Sequence, residues 1–132
     1  MVLRVLLGED DAQMRSLVAN ALRSEGFEVD EAADGEVMLE RAATVALERG
    51  GRYDLVVSDV RMPAVDGFHI AATFRASDAS VPVILMTAFG DDDSSARAAQ
   101  LGVTMFYKPF KLAHLREVAR RLVLGSSAQR GT

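Results

Sequence analysis

The chain has 132 residues, a formal net charge of −4 at pH 7, 49% apolar and 26% charged residues, and no cysteine. That length fits one domain with a sizeable core, since a chain of about 150 residues buries roughly 70% of its unfolded surface. An acidic balance with no basic cluster excludes the electrostatic footprint of a nucleic-acid binder, and the missing thiols exclude disulfides and thiolate metal sites.

Residues 3–7 are continuously apolar apart from Arg4 and close at Gly8, the pattern of a strand buried on both faces. The run is too short to span a membrane and acids follow at once. The start therefore reads as neither signal peptide nor anchor, and the chain as soluble and cytoplasmic. Met14, Leu17, Val18, Ala21 and Leu22 recur at helical spacing, with Asp11 placed to cap the helix and Gly26 to stop it. Phe27, Val29 and Ala32 alternate with polar residues as a second strand. Gly35 then opens a helix whose inward set is Val37, Met38, Ala42, Val45, Ala46 and Leu47, ending at Gly50 and Gly51. Leu55, Val56, Val57 and Ser58 form a third buried strand that delivers Asp59 to its carboxyl end. Pro63 prevents the strand from continuing and Gly67 permits the turn into a helix bearing Phe68, Ile70, Ala71 and Phe74.

Residues 81–86 read as the fourth strand, with Pro82 near its first position, where proline is tolerated. Asp91, Asp92, Asp93 and Ser94 suit the positive start of a helix that ends near Gly102. Residues 103–107 form a fifth strand, and Leu112, Leu115, Val118, Ala119 and Leu122 mark a last helix. Residues 125–132 have no apolar face, so the domain is expected to be 1–124, followed by a flexible tail or the start of a linker. Five strands, each followed by a helix, predict an α/β fold with right-handed crossovers and a parallel sheet covered on both faces.

Open α/β sheets bind ligands outside the carboxyl ends of their strands. At those ends stand Glu9, Asp10 and Asp11 after the first strand, Asp59 on the third, Thr87 past the fourth, and Lys108 with Pro109 after the fifth. Of the fifteen basic residues thirteen are arginine, so Lys108 is one of only two lysines. A compact ammonium is not interchangeable with a guanidinium. Carboxylates without histidine or cysteine make a hard oxygen site suited to Mg²⁺. A hydroxyl and an ammonium complete what is needed to hold phosphoryl oxygens, and a carboxylate can itself be the nucleophile.

Taken together, Leu6-Leu7-Gly8-Glu9-Asp10-Asp11, Asp59 through Met62-Pro63 to Asp66-Gly67, Met86-Thr87-Ala88 and Lys108-Pro109-Phe110 resemble the receiver domain of two-component response regulators, over about residues 2–124. The resemblance implies a flavodoxin-like (βα)5 fold, doubly wound, with strand order 2-1-3-4-5. It implies that Asp59 accepts a phosphoryl group from a histidine kinase or phosphotransfer protein, with Mg²⁺ as cofactor. Arg15 reproduces the family's spacing to the acidic pair Glu9 and Asp10, which makes Asp10 the direct metal ligand and Glu9 a ligand through water. Asp59 and the backbone carbonyl of Arg61 would complete the protein's share. Thr87 would bond the phosphoryl oxygen, Lys108 would neutralise it, and the Lys108–Pro109 peptide would be cis, as in about 5–6% of such bonds. Output would run through the fourth helix, fifth strand and fifth helix, to a homodimer, an effector domain or a partner protein. No direct nucleic-acid or membrane binding is implied.

Two departures from the family stand out. Its switch aromatic lies three residues before the lysine, where this chain has Met105, with Phe106 and Tyr107 one and two places later. The second helix and its loop are about six residues longer around 44–52, read here as one or two extra helical turns. Arg61 and Phe89, two places after Asp59 and Thr87, are large enough to screen an attacking water, which predicts slow loss of the phosphoryl group. His69 and His114 read as surface helix residues, the acids at 91–93 as caps, Asp66 as a turn residue, and the methionines as core filler. The chain is not expected to be an enzyme beyond its own phosphotransfer and dephosphorylation. Rival readings are an aspartyl-phosphate-type phosphatase, which needs a second acid where Arg61 stands, a flavin module, which lacks its hydroxyl-rich phosphate loop, and a stand-alone phosphate sink or adaptor.

Overall fold

The structure, a computed structural model, describes residues 2–88 and 92–130. Its elements run β1 (Arg4–Gly8), α1 (Ala12–Ser24), β2 (Glu28–Ala32), α2 (Gly35–Ala46), β3 (Leu55–Asp59), α3 (Gly67–Ser77), β4 (Val83–Thr87), α4 (Asp92–Leu101), β5 (Thr104–Tyr107) and α5 (Leu112–Arg130). All neighbouring strands are parallel, in the order β2-β1-β3-β4-β5. Fold class and strand order are those expected.

Alternation along each strand divides the interior in two. Val5, Leu7, Val57, Ile84, Met86 and Phe106 meet Val18 and Leu22 of α1 and Leu115, Ala119 and Val123 of α5. Leu6, Val56, Val83 and Leu85 meet Met38 of α2, Phe68, Ile70 and Ala71 of α3, and Ala98 of α4. The three central strands are apolar on both sides because helices cover both. Parallel register sets Gly8 beside Ser58, Asp59 beside Met86 and Thr87 beside Tyr107, so the carboxyl ends of β1, β3, β4 and β5 share one edge.

Several local expectations need correction. Helix α2 ends at Ala46, with no added turns: Glu48 N–H bonds the Val45 carbonyl, Gly50 has φ 68°, and Leu47, expected inside, is 89% exposed. The extra residues therefore form a loop, in which Glu48 pairs with Arg4 at 2.8 Å. Leu17 also faces solvent, because the buried side of α1 is set by Val18, Ala19, Ala21 and Leu22. Strand β4 starts at Val83 and β5 at Thr104, later than the apolar runs suggest. Pro82 lies outside the strand and only its carbonyl joins the sheet, accepting from Val56 N–H at 3.0 Å. At the other end α5 continues to Arg130, so the backbone of 125–130 is helical and the expected boundary at 124 falls inside a helix. One glycine costs a helix only about 1 kcal/mol, and no proline intervenes to stop it.

The turn after β3 also differs. Gly67 lies at the start of α3 without a left-handed φ; among described non-glycine residues that conformation falls on Ala64, at φ 71°. Gly67 is needed for closeness, since a Cβ there would stand 2.5 Å from the Asp59 carbonyl oxygen. Asp66 caps α3 by accepting from His69 N–H at 2.9 Å, as Asp11 and Asp34 cap α1 and α2. Arg75 ties α3 to its neighbours: Nε donates to the Leu101 carbonyl at 2.6 Å, Nη2 to Gly102 at 3.0 Å, and Nη1 to Val81.

Candidate functional site

Glu9 and Asp10 follow β1 directly, and their environments diverge. Glu9 is 1% exposed, whereas Asp10 is open to solvent. A buried carboxylate must be paired, and this one is: Oε1 accepts from Lys108 Nζ at 2.7 Å and Oε2 from Asp11 N–H at 3.2 Å. Arg15 Nη1 donates to the Glu9 carbonyl at 2.8 Å, fixing the backbone at the same point. Asp59, at the end of β3, is 7% exposed and lies 3.0 Å from Lys108 Nζ through Oδ1. Lys108 thus bridges two acids from two strands. It follows β5, its N–H donates to the Thr87 carbonyl at 2.8 Å, and the Lys108–Pro109 bond is cis.

The charges are unbalanced. Burial pushes both Glu9 and Asp59 above the usual carboxylate range, and the Lys108 ammonium only partly offsets it. Burial alone would lower Lys108, but its bonds to Glu9 and Asp59 leave it raised. One carboxylate oxygen each from Glu9, Asp10 and Asp59 falls within 4.8 Å of the others. Three converging hard oxygens at that separation fit a Mg²⁺ ion, which takes few protein carboxylates and fills its octahedron with water and phosphate. Thr87 ends β4, 3% exposed, and lines with Asp10, Arg61, Ser94 and Arg97 an open cleft of about 560 Å³ beside these acids.

The other expected residues are dispersed. Met105 packs on the α2–α3–α4 side of the sheet and is half-buried. Phe106 points to the opposite side, 5% exposed, in edge contact with Phe110 at 5.3 Å between centroids. Tyr107, 47% exposed, has its hydroxyl 3.5 Å from Ser95 of α4. His69 and His114 are exposed helix residues, the latter 5.0 Å from the Phe106 ring. Phe89 and Asp91 lie outside the described residues. Sequence reasoning missed Arg97, whose guanidinium lies 4.2 Å over the Phe68 ring at the cleft wall. No motif marks it; only its place on the first turns of α4 could have pointed to it. It also missed the Glu9–Lys108 pair, 99 residues apart in the chain.

A flavodoxin-like sheet whose carboxyl edge gathers three acids, a lysine before a cis-proline and a buried threonine defines a phosphoryl-handling receiver. The chain belongs to the response regulator receiver domain family, whose pattern it matches over residues 5–120, and is a phosphorylation-controlled receiver of two-component signalling. It is 39% identical over 123 residues to the transcriptional regulatory protein TcrA of Mycobacterium tuberculosis, covering 89% of this chain and 46% of that one. The chain therefore spans about half the length of such regulators. It is 31% identical over 119 residues to sporulation initiation phosphotransferase F of Bacillus subtilis, covering 89% of this chain and 91% of that one. Among solved structures, the response regulator protein TrrA of Thermotoga maritima in complex with Mg²⁺ and BeF superposes with a TM-score of 0.77 at 29% identity, covering 92% of this chain and 99% of that one. The family uses Mg²⁺ at its acidic pocket and interacts with histidine kinases or phosphotransfer proteins. Among the described residues no helix is long and apolar enough to cross a membrane.

Proposed function

We propose that Asp59 is the phosphoacceptor and that Lys108, Thr87, Glu9 and Asp10 form its machinery. The observation that carries this reading is the double pairing of Lys108 with Glu9 at 2.7 Å and Asp59 at 3.0 Å. An ammonium held between two acids is within reach of an oxygen added to either. Asp59 supplies the attacking carboxylate oxygen. Lys108 keeps contact with the growing negative charge, and the Thr87 hydroxyl bonds a phosphoryl oxygen as the strand end draws toward it. Glu9, Asp10, Asp59 and the Arg61 carbonyl would hold Mg²⁺, Asp10 directly because it is open to the cleft and Glu9 through water because its oxygens are already engaged. When bound, the ion supplies charge neutralisation that lets an anionic donor approach three acids.

Arg61 stands two residues after Asp59, where an aspartyl-phosphate phosphatase needs a general acid. Asp59 is thus the substrate of a transfer and not the catalyst of a turnover. The new charge biases the surface of α4, β5 and α5 between two states, which a second copy, an effector domain or a partner protein reads. With Met105 packed against the sheet, that coupling does not use an aromatic ring at this position. The donor is a sensor histidine kinase or phosphotransfer protein, which puts the chain in the cytoplasm.

The test is acetyl phosphate or beryllofluoride with Mg²⁺, read by intact mass and by chemical-shift change, on wild type and Asp59→Ala. The expected result is one phosphoryl group on wild type and none on the variant. A phosphoryl group that persists on Asp59→Ala, or a wild type that responds to neither reagent, overturns the reading.

A further inference from the structure

The cleft beside the acid cluster has a second wall of opposite charge. Its floor carries Asp10 and Thr87, while α4 contributes Ser94 and Arg97. Arg97 is exposed, and its guanidinium lies 4.2 Å over the ring of Phe68, which is itself 2% exposed. A ring fixed in the core holds the guanidinium at the cleft wall. From there its N–H groups are within the cleft's reach, and a guanidinium recognises carboxylates through such a fork of donors.

We propose that Arg97 recognises the leaving carboxylate of small acyl phosphates, so that this receiver takes phosphoryl groups from that class in preference to donors with a neutral leaving group. The inference rests on Asp59 being the phosphoacceptor. In the step, a lone pair of an Asp59 carboxylate oxygen forms the new P–O bond as the bond from phosphorus to the donor's bridging oxygen breaks. That electron pair stays on the departing oxygen as a carboxylate, and no proton is transferred. Negative charge on the leaving group grows across the step, so a cation at the cleft wall favours the transition state over the ground state. Phosphoramidate lacks the acyl group and therefore the developing carboxylate. Its P–N bond breaks to release neutral ammonia, for which a nearby guanidinium does nothing.

The experiment compares initial rates of Asp59 phosphorylation, by intact mass, for acetyl phosphate and phosphoramidate at matched Mg²⁺ and ionic strength. Wild type is set beside Arg97→Met, which keeps an apolar stem over Phe68, and Arg97→Lys. The expected result is that Arg97→Met slows the acetyl phosphate reaction by up to about fivefold, the range of an exposed ion pair, and leaves phosphoramidate unchanged. Arg97→Lys recovers part of the loss, and the difference between donors shrinks as salt rises. Equal loss with both donors shows that Arg97 acts only in packing or through a general field, and overturns the proposal, as does no loss with either. A wild type phosphorylated by neither donor refutes the phosphoacceptor reading itself, a result distinct from both.

Discussion

Replacing Gly67 by alanine tests how tightly Asp59, the proposed phosphoacceptor, is held from behind. The added Cβ would stand 2.5 Å from the Asp59 carbonyl oxygen, 3.0 Å from Val60 Cα and 3.1 Å from the Asp59 carbonyl carbon. Ordinary contact begins at 3.4 Å, so about 0.9 Å must be found, the difference between 3.4 and 2.5. All three neighbours are backbone, and Gly67 N–H also bonds the Val60 carbonyl at 2.9 Å, so no side chain can swing aside. Overpacking of this kind costs about 1–3 kcal/mol, and alanine's better helix propensity returns at most about 1 kcal/mol. The net expectation is about 1–2 kcal/mol of lost stability in urea unfolding. If Asp59 absorbs the shift, its phosphorylation slows by roughly 100-fold, the usual effect of a 1 Å misplacement. Gly125→Ala is the matched control: nothing lies within 4 Å of its Cβ, and it should stabilise by up to about 1 kcal/mol. A Gly67→Ala protein with wild-type midpoint and wild-type rate would refute the close-approach argument.

Four further outcomes are expected. Ala64→Gly relieves the φ of 71° and should raise stability by roughly 0.5–1 kcal/mol in the same assay. Arg75→Met leaves the Leu101, Gly102 and Val81 carbonyls without their donor, and should cost about 2–3 kcal/mol while speeding hydrogen exchange at the end of α4. Glu9 and Asp59 are both raised by burial, so the folded protein keeps their protons to a higher pH than the unfolded chain does. Stability should therefore fall as pH rises from the ordinary carboxylate values through the raised ones, and Asp59→Asn should flatten that slope in pH-dependent unfolding. Finally, Mg²⁺ at 100 times its dissociation constant should stabilise wild type by about 2.7 kcal/mol in thermal melts, and Asp10→Asn should lose most of that gain.

The sheet was readable in advance because burial on both faces leaves a simple signature. Val5-Leu6-Leu7 and Leu55-Val56-Val57 admit no solvent-facing position, and acids follow each within two residues. The candidate site was readable for a related reason: Glu9, Asp10, Asp59, Thr87 and Lys108 each stand at such an end, and parallel register does the rest. What could not be read depends on contacts between distant segments. Whether Leu47 packs or protrudes is decided by where α2 stops, which hydrogen bonds of Glu48 and Gly51 determine. A glycine before a helix usually serves a turn, but Gly67 is needed because of the Asp59 backbone eight residues earlier. Arg75 is one arginine among thirteen in the sequence, and only the fold gives it three carbonyls.

The two tyrosines give the molecule an optical property. There is no tryptophan, so near-ultraviolet emission comes from Tyr53 and Tyr107 alone. Tyr53 is 4% exposed and donates its hydroxyl to Asp30 at 2.6 Å, an arrangement that quenches a phenol by passing its excited-state proton to the carboxylate. Tyr107 stands half-exposed between β5 and α4, beside Thr87 in the sheet register. The fluorescence of the unlabelled protein is thus a spectroscopic window onto the α4–β5 face proposed above to carry the output.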